Sequence, residues 1–180
     1  MRDIVASIIT RLTITVALIA GMGTADAKVV VPPTGSVIEV EEGTVYAVVR
    51  TFEQAEDAIK SHDLEKIMGM YSPHYNYHGL RKADLRKIWK ELFDEYEGIT
   101  STHLFTKMSK VGSGHGAVLE VTCTGHLRAK SKTSGLYVPI DSWYEEVHYL
   151  VLEDGMWRIR GNAGESPRAL PFGTAPHPLF

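Results

Sequence analysis

From Val45 onward the apolar positions of the chain recur every three or four residues: Val45, Val48, Val49, Phe52, Ala55 and Ile59. That spacing predicts an amphipathic helix from about Val40 to His62, with Thr44 as a candidate N-cap after Gly43. Asp63 to Tyr71 continues as a short helix carrying Leu64, Ile67, Met68 and Tyr71 on one side, and Ser72-Pro73 ends it. HYNYH, His74 to His78, reads as a brief extended piece closed by Gly79. A third helix runs from roughly Lys82 to Tyr96 on the stripe Leu85, Ile88, Trp89, Leu92, Phe93 and Tyr96, and Gly98 stops it.

Beyond Gly98 the period changes from helical to alternating. Ile99 to Val111, Ala117 to Lys130, Leu136 to Glu153 and Met156 to Asn162 are four candidate strands, joined by GSGHG, SKTSG and Asp154-Gly155. The last link predicts a type I′ turn, whose two central positions both need positive φ. It sets Glu153 opposite Met156, Leu152 opposite Trp157, Leu150 opposite Ile159 and His148 opposite Gly161. Alternation then gathers Leu150, Leu152, Trp157 and Ile159 on one apolar face, continued by His148, Glu146 and Tyr144. Trp143, Val147, Tyr149 and Val151 fall on the other face, opposed by Arg158 and Arg160. Three helices followed by short-linked strands predict an α+β domain with helices packed on one face of an antiparallel meander.

The segments outside this pattern define the domain limits. Residues 1–27 carry Arg2 and Arg11, an apolar run from Leu12 to Ala20, and Ala25-Asp26-Ala27. This is the form of a signal peptide cleaved near Ala27, and it predicts an exported protein, periplasmic or secreted, without stable membrane association after cleavage. Residues 28–40, containing Pro32-Pro33 and Thr34-Gly35, read as a leader, residues 41–164 as the domain, and residues 165–180 as an irregular Pro- and Gly-rich tail. Net charge is −3 with pI near 6.2, so no basic surface calls for nucleic acid. The lone cysteine, Cys123, excludes an internal disulfide and sits on one face with Leu119 and Val121, where it reads as a buried structural thiol.

Several stretches resemble the NTF2-like superfamily, the cone-shaped fold of SnoaL-like and ketosteroid-isomerase-like proteins. FEQAEDAIKSHDLEKIMGMYSP is similar to its first helices, and YNYHGLRKADLRKIWKELFDEY to its short strand and third helix. GAVLEVTCTG and LEDGMWRI resemble an inner strand and the terminal hairpin. The resemblance covers Val45 to about Asn162 and implies three N-terminal helices packed on a curved antiparallel sheet around a pocket. The fold hosts enzymes, binders and assembly modules alike.

Four residues are candidates for chemistry: His148, Glu146, Tyr77 and His78. His148 and Glu146 are two apart on one strand, with β-carbons roughly 6–7 Å apart if no bulge intervenes. An imidazole beside a carboxylate can act as a base or hold a polar ligand. The resemblance implies a catalytic aspartate before the third helix in isomerase-like members, but here that place reads Tyr77-His78-Gly79. Tyr71, His74, Tyr75, Tyr77 and His78 together resemble the polar cluster of scytalone-dehydratase-like members. Tyr71, Tyr75, Trp89, Tyr144 and Trp157 are the candidate pocket walls. His74 and His78 would lie roughly 13 Å apart on an extended segment, too far to share an ion, so no metal site is expected. No cofactor motif occurs either: G-x-S-x-G and the phosphate-cradling P-loop are both absent.

Three readings stand on these residues. The first is an exported domain holding a small hydrophobic molecule in its cone, with Glu146 and His148 as polar contacts. The second is a lyase- or isomerase-like enzyme with His148 or His78 as base and Tyr75 or Tyr77 as donor. The third is a dimerisation module without ligand. A homodimer through Trp143, Val147, Tyr149 and Val151 is expected, with a C-terminal tail folded over the sheet as the competing cover for that face.

Overall fold

The computed structural model describes residues 28–77, 79–113, 117–161 and Leu179. The expected signal peptide, His78, the centre of the GSGHG loop and nearly all of the tail lie outside the described residues.

The helices follow the predicted stripes. Helix α1, Glu42–Lys60, buries Val48, Phe52, Ala55 and Ile59. It starts from extended Glu41, whose carbonyl accepts from Thr44 N at 2.9 Å, so Thr44 belongs to the first turn rather than capping it. Helix α2, Leu64–Gly69, is capped by Asp63, which accepts from Lys66 N at 3.1 Å. Helix α3, Lys82–Glu95, buries Leu85, Trp89 and Phe93. Asp84 accepts from Arg81 N at 2.9 Å and closes its first turn. Among the described residues no helix is long and apolar enough to cross a membrane.

The sheet is mixed rather than a pure antiparallel meander. Strands β5 (Tyr96–Val111), β6 (Val118–Ser131), β7 (Tyr137–Glu153) and β8 (Met156–Ile159) pair antiparallel in that order. The segment read as a leader supplies two further strands, β1 (Lys28–Val30) and β2 (Val37–Glu39), both parallel to β5. They cover an edge that would otherwise present unpaired backbone groups. A two-residue ladder, β3 (Asn76–Tyr77) with β4 (Leu80–Arg81), sits before α3.

The β7–β8 hairpin has the predicted register, with Glu153 opposite Met156, Leu152 opposite Trp157 and Leu150 opposite Ile159. Asp154 and Gly155 both have positive φ, 51° and 76°. In the inward pair nearest the turn the core takes only one partner: Trp157 is buried, whereas Leu152 is 58% exposed.

Further along β7 the alternation breaks. Cys123 faces Glu146 and Gly125 faces Trp143, so Tyr144 and Glu145 together oppose Thr124 in a β-bulge. Glu145 takes φ 51°, and its N–H donates to the Thr124 hydroxyl at 2.9 Å. The extra residue reverses the expected faces. Trp143 turns inward and is only 5% exposed, so it cannot belong to an outer interface, and Tyr144 points out at 78%, so it cannot line the interior. Further shifts in β5 pairing at Glu97/Thr100 and Phe105/Lys107, and in β7 pairing at Leu127/Arg128, bend the long strands into a curled half-barrel over which α1 and α3 pack.

Candidate functional site

Two groups of polar side chains lie on the inner face of the sheet. The first begins at Tyr71, which ends the α2 segment and is fully buried. Its backbone bridges Ile159, and its carbonyl accepts from Lys82 Nζ at 2.6 Å. The Tyr71 hydroxyl accepts from Trp89 Nε1 at 2.8 Å and donates to the Leu179 carbonyl at 2.6 Å. Tyr75 stands edge-on to Tyr71, with ring centroids 5.5 Å apart. Burial pushes both phenols above their ordinary range, with Tyr71, Tyr77 and Glu146 adding to the shift at Tyr75. Both are neutral at physiological pH.

Tyr77 and Glu146 complete this group. The Tyr77 hydroxyl donates to Glu146 Oε1 at 2.7 Å across 69 residues of sequence. Tyr77 is buried, and Glu146 is half-buried. His148, two residues along β7, is buried on the same face. The structure therefore brings Tyr71, Tyr75, Tyr77, Trp89 and Glu146 together, with His148 beside them on the strand. Trp157 is inward but lies toward the hairpin turn. There it bounds an open cleft of about 530 Å³ with Thr44, Ala47, Lys110 and Leu152. His74 is exposed. Among the described residues no group of three His, Cys, Asp or Glu side chains could hold a metal ion.

The sequence did not assemble the second group; of its members it marked Cys123 as a buried thiol and placed Trp143 on the outer face. Glu56 of α1, Ser101 and His103 of β5, Cys123 of β6 and Trp143 of β7 are each no more than 5% exposed. The Ser101 hydroxyl donates to Glu56 Oε1 in a short contact and lies 2.6 Å from His103 Nε2, while Ser101 N donates to Glu56 Oε2 at 3.3 Å. Cys123 Sγ lies 3.7 Å from His103 Nδ1 and accepts from Trp143 Nε1 at 3.1 Å. Burial pushes the Cys123 thiol up to about 12, as expected of an inert structural thiol. The signals were present in the pattern. Glu56 sits four residues after Phe52 on the apolar stripe of α1, and Ser101 and His103 fall on the same face of the alternating run as Ile99 and Phe105.

Gly125 makes room for this packing. A β-carbon there would meet the Thr102 carbonyl at 2.0 Å and Trp143 Cζ2 at 2.6 Å. Only a residue without one lets the indole lie across β6 and reach Cys123.

No family model matches the chain, and no curated protein matches it. Solved structures do. A conserved protein from Planctomyces limnophilus superposes with a TM-score of 0.57 at 9% identity, over 67% of this chain and 94% of that one. A putative aromatic ring hydroxylase from Novosphingobium aromaticivorans gives 0.52 at 11% identity, over 68% and 88%. Aln2 from a Streptomyces species gives 0.51 at 11% identity, over 68% and 89%. The chain has the NTF2-like cone fold. At these identities the likeness shows the cone and not its chemistry.

Proposed function

We propose that this NTF2-like cone binds a small, mainly apolar molecule against the wall formed by Tyr71, Tyr75 and Trp89, with Glu146 and Tyr77 as its polar anchor. The observation that supports this reading is the Tyr77–Glu146 pair. It is the polar group of the inner face that keeps contact with solvent while its neighbours are sealed. A carboxylate offers about four acceptor positions. Tyr77 uses one, and the half-exposed remainder suits a hydroxyl or amide on the ligand. The neutral tyrosines add donors without the cost of a buried charge.

Native mass spectrometry of the purified protein tests this directly, since a tightly held molecule would travel with it. A ligand present at 100 times its Kd would add about 2.7 kcal/mol to stability, a rise of several degrees in Tm. Glu146→Gln and Tyr77→Phe would each reduce that rise, whereas Tyr46→Ser, at an exposed position of α1, would leave it unchanged. Equal binding by all three variants would sink the site assignment. Conversion of the bound molecule would move the protein to the lyase- or isomerase-like reading, for which Glu146 and Tyr77 form a ready acid–base pair.

The cleavage near Ala27 and the homodimer are also parts of this proposal. The outer face now consists of Tyr144, Val147, Tyr149 and Val151 without Trp143. A monomer in light scattering at micromolar concentration would end the dimer.

A further inference from the structure

The proton of a buried hydroxyl has one direction, and at Tyr71 two neighbours fix it. Trp89 Nε1 donates to the oxygen at 2.8 Å, so the hydroxyl hydrogen must go elsewhere. It goes to the carbonyl of Leu179, 2.6 Å away and 108 residues distant in sequence. Lys82 holds the backbone of Tyr71 from behind, and Tyr75 packs edge-on beside it, so neither ring nor hydroxyl can swing away. Accepting one hydrogen bond polarises the hydroxyl as a donor for the next. The side chain of Leu179 fills the adjoining apolar space and is 3% exposed. A leucine side chain and its carbonyl thus stand at the aromatic wall in the manner of a ligand.

We infer that the Trp89–Tyr71 pair is a carbonyl-recognition site, that it takes a neutral ketone, ester or amide carrying a branched apolar group, and that Leu179 of the chain occupies it in the unliganded protein. This rests on the cone-binding reading and names the class of molecule bound. Charge on the ligand's acceptor is disfavoured, because Tyr71, Tyr75 and Trp89 are neutral and buried, and the nearby Lys82 ammonium is already bound to the Tyr71 carbonyl. The acceptor itself is required: a ligand without one would leave the Tyr71 proton unsatisfied.

The test uses a matched pair of probes. 5-Methyl-2-hexanone reproduces the leucine side chain, its α-carbon and its carbonyl, and 2,5-dimethyl-1-hexene has the same shape without the oxygen. Binding to the full chain and to Leu179→Gly is read by quenching of tryptophan fluorescence and by ligand-observed NMR. Removing the resident side chain should tighten ketone binding by about ten-fold, and the alkene should bind the same variant about ten-fold more weakly than the ketone. Adding Tyr71→Phe to Leu179→Gly should abolish the preference for ketone over alkene while leaving alkene binding in place. Leu179→Ala serves if the glycine variant melts below the working temperature. Equal affinity for ketone and alkene, or no gain on removing the Leu179 side chain, would overturn the inference. If the co-purified molecule is still lost from Glu146→Gln in that event, the cone reading survives alone. If neither probe binds any variant and nothing co-purifies, both fall.

Discussion

The inner face of the sheet carries two polar groups that touch at a single register pair, Cys123 opposite Glu146, yet they differ in kind. Around Cys123, every member from Glu56 to Trp143 is sealed, and the bonds among them run from one protein side chain to the next. Around Glu146, the carboxylate is half-buried and has acceptor capacity beyond the one bond from Tyr77. Helix α1 makes the difference. It lays Phe52 and Glu56 directly over β5, with Phe52 edge-on to both His103 and Phe105 at 4.9 Å. Among the described residues no helix packs over Glu146 in this way, and it stays half-buried. Buried polar residues in a cone are therefore not automatically a site. A group whose partners all come from the helices and strands of the cone fixes structure, whereas one with unused capacity facing solvent, or one whose acceptor is Leu179 outside those elements, can meet a ligand.

Three experiments press on that contrast. The largest effect is expected from Gly125→Ala. The added methyl collides with the Thr102 carbonyl and the Trp143 ring, so β5 or β7 must move, and a loss of roughly 3 kcal/mol or more is expected in urea unfolding. A loss under about 1 kcal/mol would mean that Trp143 is not held against β6 as described.

Next come Glu56→Ala and Tyr77→Phe, taken together. The first strips partners from sealed Ser101 and His103 and should cost about 2–4 kcal/mol. The second removes one bond at a half-open carboxylate and should cost about 1 kcal/mol or less. Similar costs would erase the distinction between the two groups.

The smallest effect concerns Cys123. With its thiol pushed up to about 12, a disulfide reagent at pH 8 should label it only as fast as the protein unfolds. The sign for stability follows from the same shift. The folded pKa lies above the unfolded value near 9, so the contribution is fully present below pH 9 and is lost as pH rises toward 12. Rapid labelling of the native protein would place Cys123 on the open side.

Much of the cone was legible in the residues. The stripes Val48–Phe52–Ala55–Ile59 and Leu85–Trp89–Phe93 mark helices because burial repeats every turn, and Asp154-Gly155 fixes a hairpin because few dipeptides tolerate two positive φ angles. What was missed shares one physical cause: short-range features without a residue-type marker. The bulge uses Glu145 at φ 51°, and no glycine or asparagine announces it, so Trp143 and Tyr144 were assigned to each other's faces. Lys28–Val30 and Val37–Glu39 are too short to show alternation, and Pro32-Pro33 between them suggested a linker. Tyr77 and Glu146 were each named as candidates, but their hydrogen bond depends on the β3 turn reaching across to β7, which no local pattern encodes. The partnership of Tyr71 with Leu179 is of the same nature.

The bulge at Glu145 has a companion. Pairing jumps again between Leu127 and Arg128, where Asp141 and Pro139 are the partners and Ile140 is the surplus residue. Each insertion reverses the side-chain parity of β7, so the second undoes the first, and only Asp141, Ser142 and Trp143 are read in the altered frame. Val138 on one side and Glu146, His148 and Leu150 on the other share the ordinary one. In the language of codes, β7 carries a compensated frameshift three residues long, and its product is one indole delivered to the interior. Deleting Glu145 would leave Tyr144 alone opposite Thr124 with Trp143 still facing Gly125, and deleting Ile140 would set Asp141 and Pro139 side by side opposite Leu127 and Arg128. The indole is thus delivered by the pairing of Gly125 with Trp143, and only a one-residue slip of β7 at that pair would return it to the outer face.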